Sequence, residues 1–330
     1  MKLLYVLVSQ KTDCYYEQAL LSVMSAKYQM PDISITLLMD DKTHRSLEKE
    51  RIDILKYVDD IKVIEFEASV NSMVRSRSLK TLMREHVSGD FLYVDVDTLW
   101  VGTIDEKDFN SDIMGVPDGN VDFASFIWKD HHLELSKKLN FKIDLDYFIN
   151  GGVLFLKDSP IAHEFMSEWN QWWTYSLSHD VPTDQQSLNY VNSYKKGIIK
   201  KLPNSYNVQI DFSIRYLLGA KIIHYFSSGI QINESEMFFE LKKYSFWEKL
   251  KKEGNYIKRM NDIVRNPNIY FSSSMVKLHI DLGDMHNVPA YGFMLDLMKS
   301  QNWRGKILLK LFNSFANCVS FLFSLNKRKY

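Results

Sequence analysis

Apolar runs and amphipathic stretches alternate through the first hundred residues. Leu3–Ser9 (LLYVLVS) is a continuous apolar run, Tyr15–Lys27 has helical spacing, and Ile33–Met39 (ISITLLM) is apolar and β-branched. Thr43–Leu55 reads as a charged amphipathic helix, and Ile61–Glu67 (IKVIEFE) alternates as a half-buried strand. Asn71–His86 is again helical, stopped by Ser88-Gly89, and the apolar run FLYV follows at once. Repetition of this kind predicts parallel strands with helices packed on both faces. Beyond residue 100 the order becomes mixed. IMGVPDG (113–119) suggests a short strand and turn, GGVLFLK (151–157) a strand, Pro160–Trp173 a helix and Asp184–Val191 a short helix. KIIHYF (221–226) reads as a last buried strand, and residues 235–263 as charged helix.

In FLYVDVDTLW (91–100), Asp95 and Asp97 stand one residue apart where the pattern predicts the end of a buried strand. A charge in such a place is costly unless it is paired or binds a cation. An extended Asp-x-Asp points both carboxylates to one side, and in open α/β sheets ligands bind beyond the carboxyl ends of the strands. Hard divalent ions such as Mg²⁺ or Mn²⁺ prefer oxygen ligands and also hold phosphates. The tripeptide alone is better read as a surface pair capping a turn. A phosphatase pattern of Asp-x-Asp-x-Thr fails here, because Thr98 comes one place early and Leu99 fills the threonine position.

Composition sets limits. The 330 residues are 45% apolar and 25% charged, with a formal net charge of zero, so no whole-molecule attraction to nucleic acid is expected. Cys14 and Cys318 match neither a zinc spacing nor a disulfide framework, which suits reduced cytoplasmic thiols. The opening MKLLYVLVSQ reads as a first strand rather than a signal peptide, since its apolar stretch is short and no small-residue cleavage site follows.

Further segments carry chemistry in a fixed order. YFINGGVLFLK (147–157) sets Asn150 and two glycines before a strand, where backbone can approach a ligand. DQQSLN (184–189) opens a helix with an acid and two amides, LPNSYNVQ spans 202–209, and His224 ends an apolar run. Together with FLYVDVDTL, these segments resemble glycosyltransferase family 8 and related nucleotide-sugar transferases of the GT-A fold. The resemblance spans roughly residues 1–230. It implies a Rossmann-like mixed α/β sheet flanked by helices. It also implies Mn²⁺ (or Mg²⁺) held by Asp95, Asp97 and His224 against the diphosphate of a nucleotide-sugar donor. By the same resemblance Arg77 and Lys80 approach the phosphates or sugar, and Asn150 and Asp184 bind sugar hydroxyls. Gln185 lies beneath the anomeric carbon, and Asp13 with Tyr15 or Tyr16 contacts the base. The chain departs from the family after its histidine: HYFSSGIQINE lacks the usual Lys-Pro-Trp element. Gly229 is available for the turn there, and Arg215 or Lys221 could supply the missing charge.

The tail differs from the rest. Between Gln301 and Tyr330 lie six basic residues and no acid. Ile307, Leu308, Leu311, Phe312, Phe315, Val319, Leu322 and Phe323 share one helical face, with Lys306, Lys310, Asn313 and Asn317 on the other. A basic amphipathic helix of this kind fits an anionic membrane surface; docking on the protein's own core is the alternative. The expected organisation is therefore a GT-A domain over 1–230, a helical extension over 231–300 and a membrane-surface tail over 301–330. Such an enzyme would be cytoplasmic, peripheral on the inner membrane face, and would transfer a hexose from a UDP-sugar to a glycan or glycolipid acceptor with retention. A non-catalytic nucleotide-sugar-binding protein of the same fold is the alternative. A nucleotidyltransferase would need a glycine-rich phosphate loop that SQKTDCYY (9–16) does not offer.

Overall fold

A computed structural model describes residues 1–212, 214–226, 237, 239–253, 256–271 and 303–326, with side chains in the last helix to residue 315. Six of the strand-like runs, with the exposed Lys200–Lys201 pair at one edge, form a seven-stranded sheet of order β3-β2-β1-β4-β7-β6-β8. The strands are β1 (Lys2–Leu7), β2 (Ile35–Asp40), β3 (Asp60–Ile64), β4 (Phe91–Val94), β6 (Ile113–Pro117), β7 (Ile149–Leu156) and β8 (Lys200–Lys201). β3 to β4 run parallel, whereas β7 is antiparallel to both β4 and β6. A three-stranded sheet joins β5 (Thr98–Trp100), β10 (Ile222–His224) and β9 (Val208–Gln209) in the order β5-β10-β9. The apolar run ending in His224 is therefore buried as expected, but it pairs antiparallel with β5 outside the main sheet.

The central strands are buried on both faces, and the alternation of side-chain direction along them explains the layers. Leu4, Val6, Phe91, Tyr93, Leu154 and Leu156 turn to one face, where Leu79, Met83, Phe165, Trp169 and Leu188 cover them. Those covering residues lie on α3 (Ser72–Thr81), α4 (Met83–His86), α6 (Pro160–Ser178) and α7 (Gln185–Tyr194). On the other face lies α1 (Tyr15–Gln29), buried continuously from Tyr16 to Ala26. Tyr5 meets it there, its hydroxyl accepting from Ser22 Oγ at 3.1 Å and Trp100 Nε1 at 2.8 Å.

Two expected helices are broken. Over 43–55 the chain forms only α2 (Asp41–Arg45) and a 3₁₀ stretch, Lys49–Lys56. Asp40 caps α2 by accepting from Thr43 N at 3.1 Å, and Lys49 sits at φ 53°, which no α-helix continues through. The 71–86 helix divides at Leu82, beside Thr81, whose hydroxyl donates to backbone and to Asn170 Oδ1 at 2.8 Å. Side-chain bonding of this sort to a helix's own carbonyls bends helices. α5 (Lys129–Lys138) had no clear signal in the pattern.

By contacts the chain divides into two units, Met1–Tyr270 and Phe271–Tyr330. The first includes α8 (Tyr244–Lys252) and α9 (Tyr256–Arg265), within the stretch expected to be charged helix; residues 235, 236, 238, 254 and 255 lie outside the described ones. α9 packs on α1, and α8 braces the loop after β1. There Lys251 Nζ donates to the carbonyls of Lys11 (2.9 Å) and Asp13 (2.5 Å), and Tyr244 Oη to that of Thr12 (3.4 Å). Of the second unit, α10 (Trp303–Asn326) is described. Ile307, Leu308, Leu311 and Phe315 on its apolar face are 48%, 48%, 62% and 67% exposed. The tail residues Lys327, Arg328 and Lys329 lie outside the described ones, as do the side chains of Asn317, Cys318, Val319, Leu322 and Phe323. No described helix is long and apolar enough to cross a membrane.

Candidate active site

β4 ends at Val94 beside the carboxyl end of β1, where the sheet turns from parallel to antiparallel. The Asp95-Val96-Asp97 segment bridges the two sheets. Asp95 N donates to Gly152 O on β7 at 2.8 Å, and Tyr225 N, just after β10, donates to Asp97 O at 3.2 Å. These bonds set Asp95, Asp97 and His224 face to face, with one potential ligand atom of each within 4.8 Å of the others. His224 Nε2 lies 3.2 Å from Asp97 Oδ1. Gly152 is required here, because a Cβ on it would sit 2.5 Å from His224 Cε1 and 2.9 Å from Asp95 Oδ2.

The hydrogen-bond network fixes the histidine's polarity. Gly152 N–H, an unambiguous donor, binds Asn150 Oδ1 at 2.9 Å, and Asn207 Nδ2 binds the same oxygen at 3.0 Å. Asn207 must then turn its own oxygen to His224 Nδ1, 3.0 Å away. With Nδ1 donating, Nε2 is the ring atom that faces the Asp97 carboxylate. Two acceptors in contact need a proton or a cation between them. Two carboxylates and an imidazole with its outer nitrogen anchored are a donor set that fits a divalent ion.

A cavity of about 330 Å³ opens over this cluster. Arg77 and Lys80, one turn apart on α3, line it and converge on Asp184 at the start of α7. Arg77 Nε is 3.3 Å from Asp184 Oδ1, Lys80 Nζ is 3.3 Å from Asp184 Oδ2 and 3.4 Å from Asp95 Oδ1. Burial opposes ionisation of Asp184, but Arg77 and Lys80 outweigh it and hold the carboxyl below its ordinary range. Asp184 in turn raises the Arg77 guanidinium. Burial, then the neighbouring Asp95, push the Tyr93 phenol well above its usual range, so Tyr93 stays a donor to Asp95 Oδ1.

The cavity also receives Asn150, Gln185, Asp13 and Tyr15. Asn150 is largely committed: both N–H bonds above go to its oxygen, and its Nδ2 donates to Asp118 Oδ1 at 2.9 Å. Asp13 accepts from Ser9 Oγ, Gln10 N and Tyr15 N at 2.7, 2.7 and 3.1 Å, knitting the loop after β1. Tyr15 is 40% exposed at that end. Tyr16 is elsewhere: it is fully buried, its hydroxyl accepts from Ile54 N at 3.3 Å, and the Arg51 guanidinium lies 4.6 Å over its ring. Its place on α1 turns it into the core, so of the two tyrosines only Tyr15 lines the cavity. Lys221 is held by Asp108 at 3.0 Å and Tyr206 at 2.8 Å, and neither it nor Arg215 lines the cavity. Gly229 lies outside the described residues.

Sequence reasoning gave no role to Tyr93, Asp118, His132, Asn207 or Phe226. Phe226 stacks on His224 with ring centroids 4.0 Å apart. Asn207 lies inside the LPNSYNVQ segment, and that segment's resemblance to the family pattern was the available signal.

No protein-family model matches the sequence, and no curated protein matches it. Among solved structures the chain is similar to the galactosyltransferase LgtC in complex with donor and acceptor sugar analogues. That match has 14% identity and a TM-score of 0.45, over 68% of this chain and 86% of that one. It is similar to mouse xyloside xylosyltransferase 1 in its apo form at 12% identity and a TM-score of 0.45, over 68% and 96%. An active-site mutant of LgtC gives 14% identity and a TM-score of 0.48, over 76% and 95%.

Proposed function

We propose that the protein is a divalent-metal-dependent glycosyltransferase of the GT-A type, moving a hexose from a UDP-sugar to a glycan or glycolipid acceptor with retention. The observation that carries this reading is the convergence of Asp95, Asp97 and His224 in one cavity with the Arg77–Asp184–Lys80 triad. Mn²⁺ or Mg²⁺ held by the first three would neutralise charge on a leaving diphosphate. Arg77 and Lys80 place fixed positive charge on the same side, where it stabilises charge that develops as the sugar–phosphate bond breaks. Asp184, ionised and twice paired, keeps lone pairs for sugar hydroxyls. Asn150 has one amide N–H left to offer. Gln185 presents its amide to the forming sugar cation, and the leaving phosphate deprotonates the acceptor on the same face. Tyr15 and Asp13 border the base end. The exposed apolar face of α10, with Arg304, Lys306 and Lys310 beside it, suits an anionic membrane surface carrying a lipid-linked acceptor. Assembly of cell-surface polysaccharide or lipopolysaccharide at the inner membrane face is the setting this implies.

The test is a panel of nucleotide-sugars with Mn²⁺, read by hydrolysis, by transfer and by thermal stabilisation. Turnover of at least one donor is expected, with UDP binding lost in Asp97→Asn. No turnover and UDP binding unchanged in Asp97→Asn would sink the reading. One observation favours the non-catalytic alternative: among the described residues, the Arg and Lys side chains lining the cavity are Arg77 and Lys80, and both are committed to Asp184. Hydrolysis of a UDP-sugar above the Gln185→Ala background excludes that alternative.

A further inference from the structure

Asp118 stands at the end of β6, outside the cavity lining, yet polar side chains from three other elements converge on it. It is 5% exposed. Its Oδ1 accepts from Asn150 Nδ2 on β7 at 2.9 Å, and its Oδ2 accepts from Gln185 Nε2 on α7. His132 Nε2 on α5 lies 3.5 Å from the same Oδ2. The turn holding Asp118 is built for that position. Gly119 and Asn120 have φ of 66° and 59°, and a Cβ on Gly119 would sit 2.5 Å from the Phe126 ring. Gly119 N donates to Gln209 Oε1 at 2.8 Å, Gln209 Nε2 to Pro117 O at 2.8 Å, and Gln209 N to Asn120 Oδ1 at 2.9 Å. The carboxylate is thus fixed against the strand that precedes His224.

The polarity of the whole array follows from one backbone group. Gly152 N–H claims the oxygen of Asn150, so the Asn150 amide nitrogen must face Asp118. An ionised carboxylate offers acceptors only, so Gln185 can meet it only through its nitrogen. A planar amide held by its nitrogen turns its oxygen the other way. His132 is set to match: Thr183 Oγ1 donates to Gln186 Oε1 at 2.6 Å, which leaves Gln186 Nε2 to donate to His132 Nδ1 at 2.9 Å. The imidazole proton then lies on Nε2, toward Asp118. Phe148 stacks on the ring with centroids 4.3 Å apart and holds it in place.

We propose that Asp118 is a positioning residue that orients the Gln185 amide with its oxygen, not its nitrogen, presented to the cavity. An amide oxygen stabilises a developing sugar cation, and an amide N–H pointing there would repel it. This proposal rests on the functional reading above. Asp118→Asn puts an NH₂ where one of the two oxygens stood; Asn150, fixed by Gly152 N–H, claims the remaining oxygen, and the NH₂ then facing Gln185 makes its amide flip. The expected result is a fall in kcat of about 10²-fold, the usual effect of losing one oriented polar group, with donor KM changed less than about threefold. Gln185→Glu alone sets two carboxylates together and should fall similarly. In Asp118→Asn/Gln185→Glu the introduced NH₂ donates to the introduced carboxylate, which again presents oxygen to the cavity. The double variant should exceed either single by about tenfold or more, a rescue that a merely structural carboxylate would not give.

Thermal midpoints of the same variants, with and without UDP and Mn²⁺, check folding and close a double-mutant cycle. Wild-type kcat in Asp118→Asn, or a double variant no better than the poorer single, overturns the proposal. Should the wild type turn over no nucleotide-sugar, the functional reading fails by itself. The midpoint cycle still decides the link, because additive midpoints would mean that Asp118 and Gln185 are not coupled.

Discussion

Gly152→Ala is the sharpest test of the site's geometry. The added Cβ would lie 2.5 Å from His224 Cε1 and 2.9 Å from both Asn150 Oδ1 and Asp95 Oδ2. Carbon atoms in contact prefer about 3.5–4.0 Å, so the imidazole would have to retreat by about 1 Å. Its retreat breaks contacts: His224 is 2% exposed, bonded through Nδ1 to Asn207 and stacked on Phe226, so it can move only toward the cavity it lines. Overpacking of this kind costs about 1–3 kcal/mol. At about 2–4 °C per kcal/mol for 150–250 residues, and less for a longer chain, the melting midpoint should fall by up to about 12 °C. The neighbouring glycine is the control. A Cβ on Gly151 would meet Lys80 Nζ at 3.4 Å and Leu188 Cδ2 at 3.6 Å, which are ordinary contacts. Calorimetry of the two variants, each titrated with Mn²⁺ and UDP, should show a lowered midpoint and weakened stabilisation in Gly152→Ala alone. Equal midpoints for the two variants would refute the reasoning.

Other consequences can be measured on the same protein. Arg75 and Asp40 form an ion pair with Nε–Oδ2 of 2.6 Å and side chains 4% and 0% exposed. Arg75→Met leaves a buried carboxylate without its partner and should cost about 3–5 kcal/mol in urea unfolding; a loss below about 1 kcal/mol contradicts this. Asp184 has a lowered carboxyl pKa, so its contribution to stability is complete above the ordinary carboxylate range and is lost as pH falls through the lowered value. Asp184→Asn should therefore flatten the decline of the midpoint below about pH 4, and acid limbs of equal slope would count against it. Removing the residues after Trp303 should leave a soluble, active fragment that no longer sediments with anionic vesicles. Continued co-sedimentation removes the anchoring role of α10.

Most of the main sheet was legible because its strands, apart from the two-residue Lys200–Lys201, are apolar or alternating runs bounded by helical spacing, and Asp95-x-Asp97 follows such a run. What the pattern could not show is where a chain breaks for polar reasons. Lys49 at φ 53° and the Thr81 hydroxyl divide helices whose apolar spacing is continuous. Within the site, Asp95 and Asp97 stood out at a predicted strand end, whereas His224 was joined to them through the family resemblance. Tyr15 and Tyr16 could not be separated, because adjacent helical residues differ in direction by about 100° and nothing local states which one faces the core. Asp118 and Asn207 were hidden for another reason. Each acts by holding another side chain, and such a role is set by partners 32 and 57 residues from Asn150 in sequence.

The brace between α8 and the loop after β1 has a consequence for how the protein is made. Lys251 grips the carbonyls of Lys11 and Asp13 across 240 and 238 residues of chain. At a synthesis rate of about 5–20 residues per second, the lysine emerges roughly 10–50 s after the loop it holds. Until then that loop has its internal Asp13 bonds and, from earlier in the chain, Arg51, which reaches Ser9 Oγ at 3.0 Å and Gln10 O at 3.2 Å. The four parallel strands β1 to β4 and the Asp95–Asp97 segment can therefore be made well before the Asp13–Tyr15 end of the cavity has its final rigidity. Maturation of the site is thereby tied to completion of the helices that follow it.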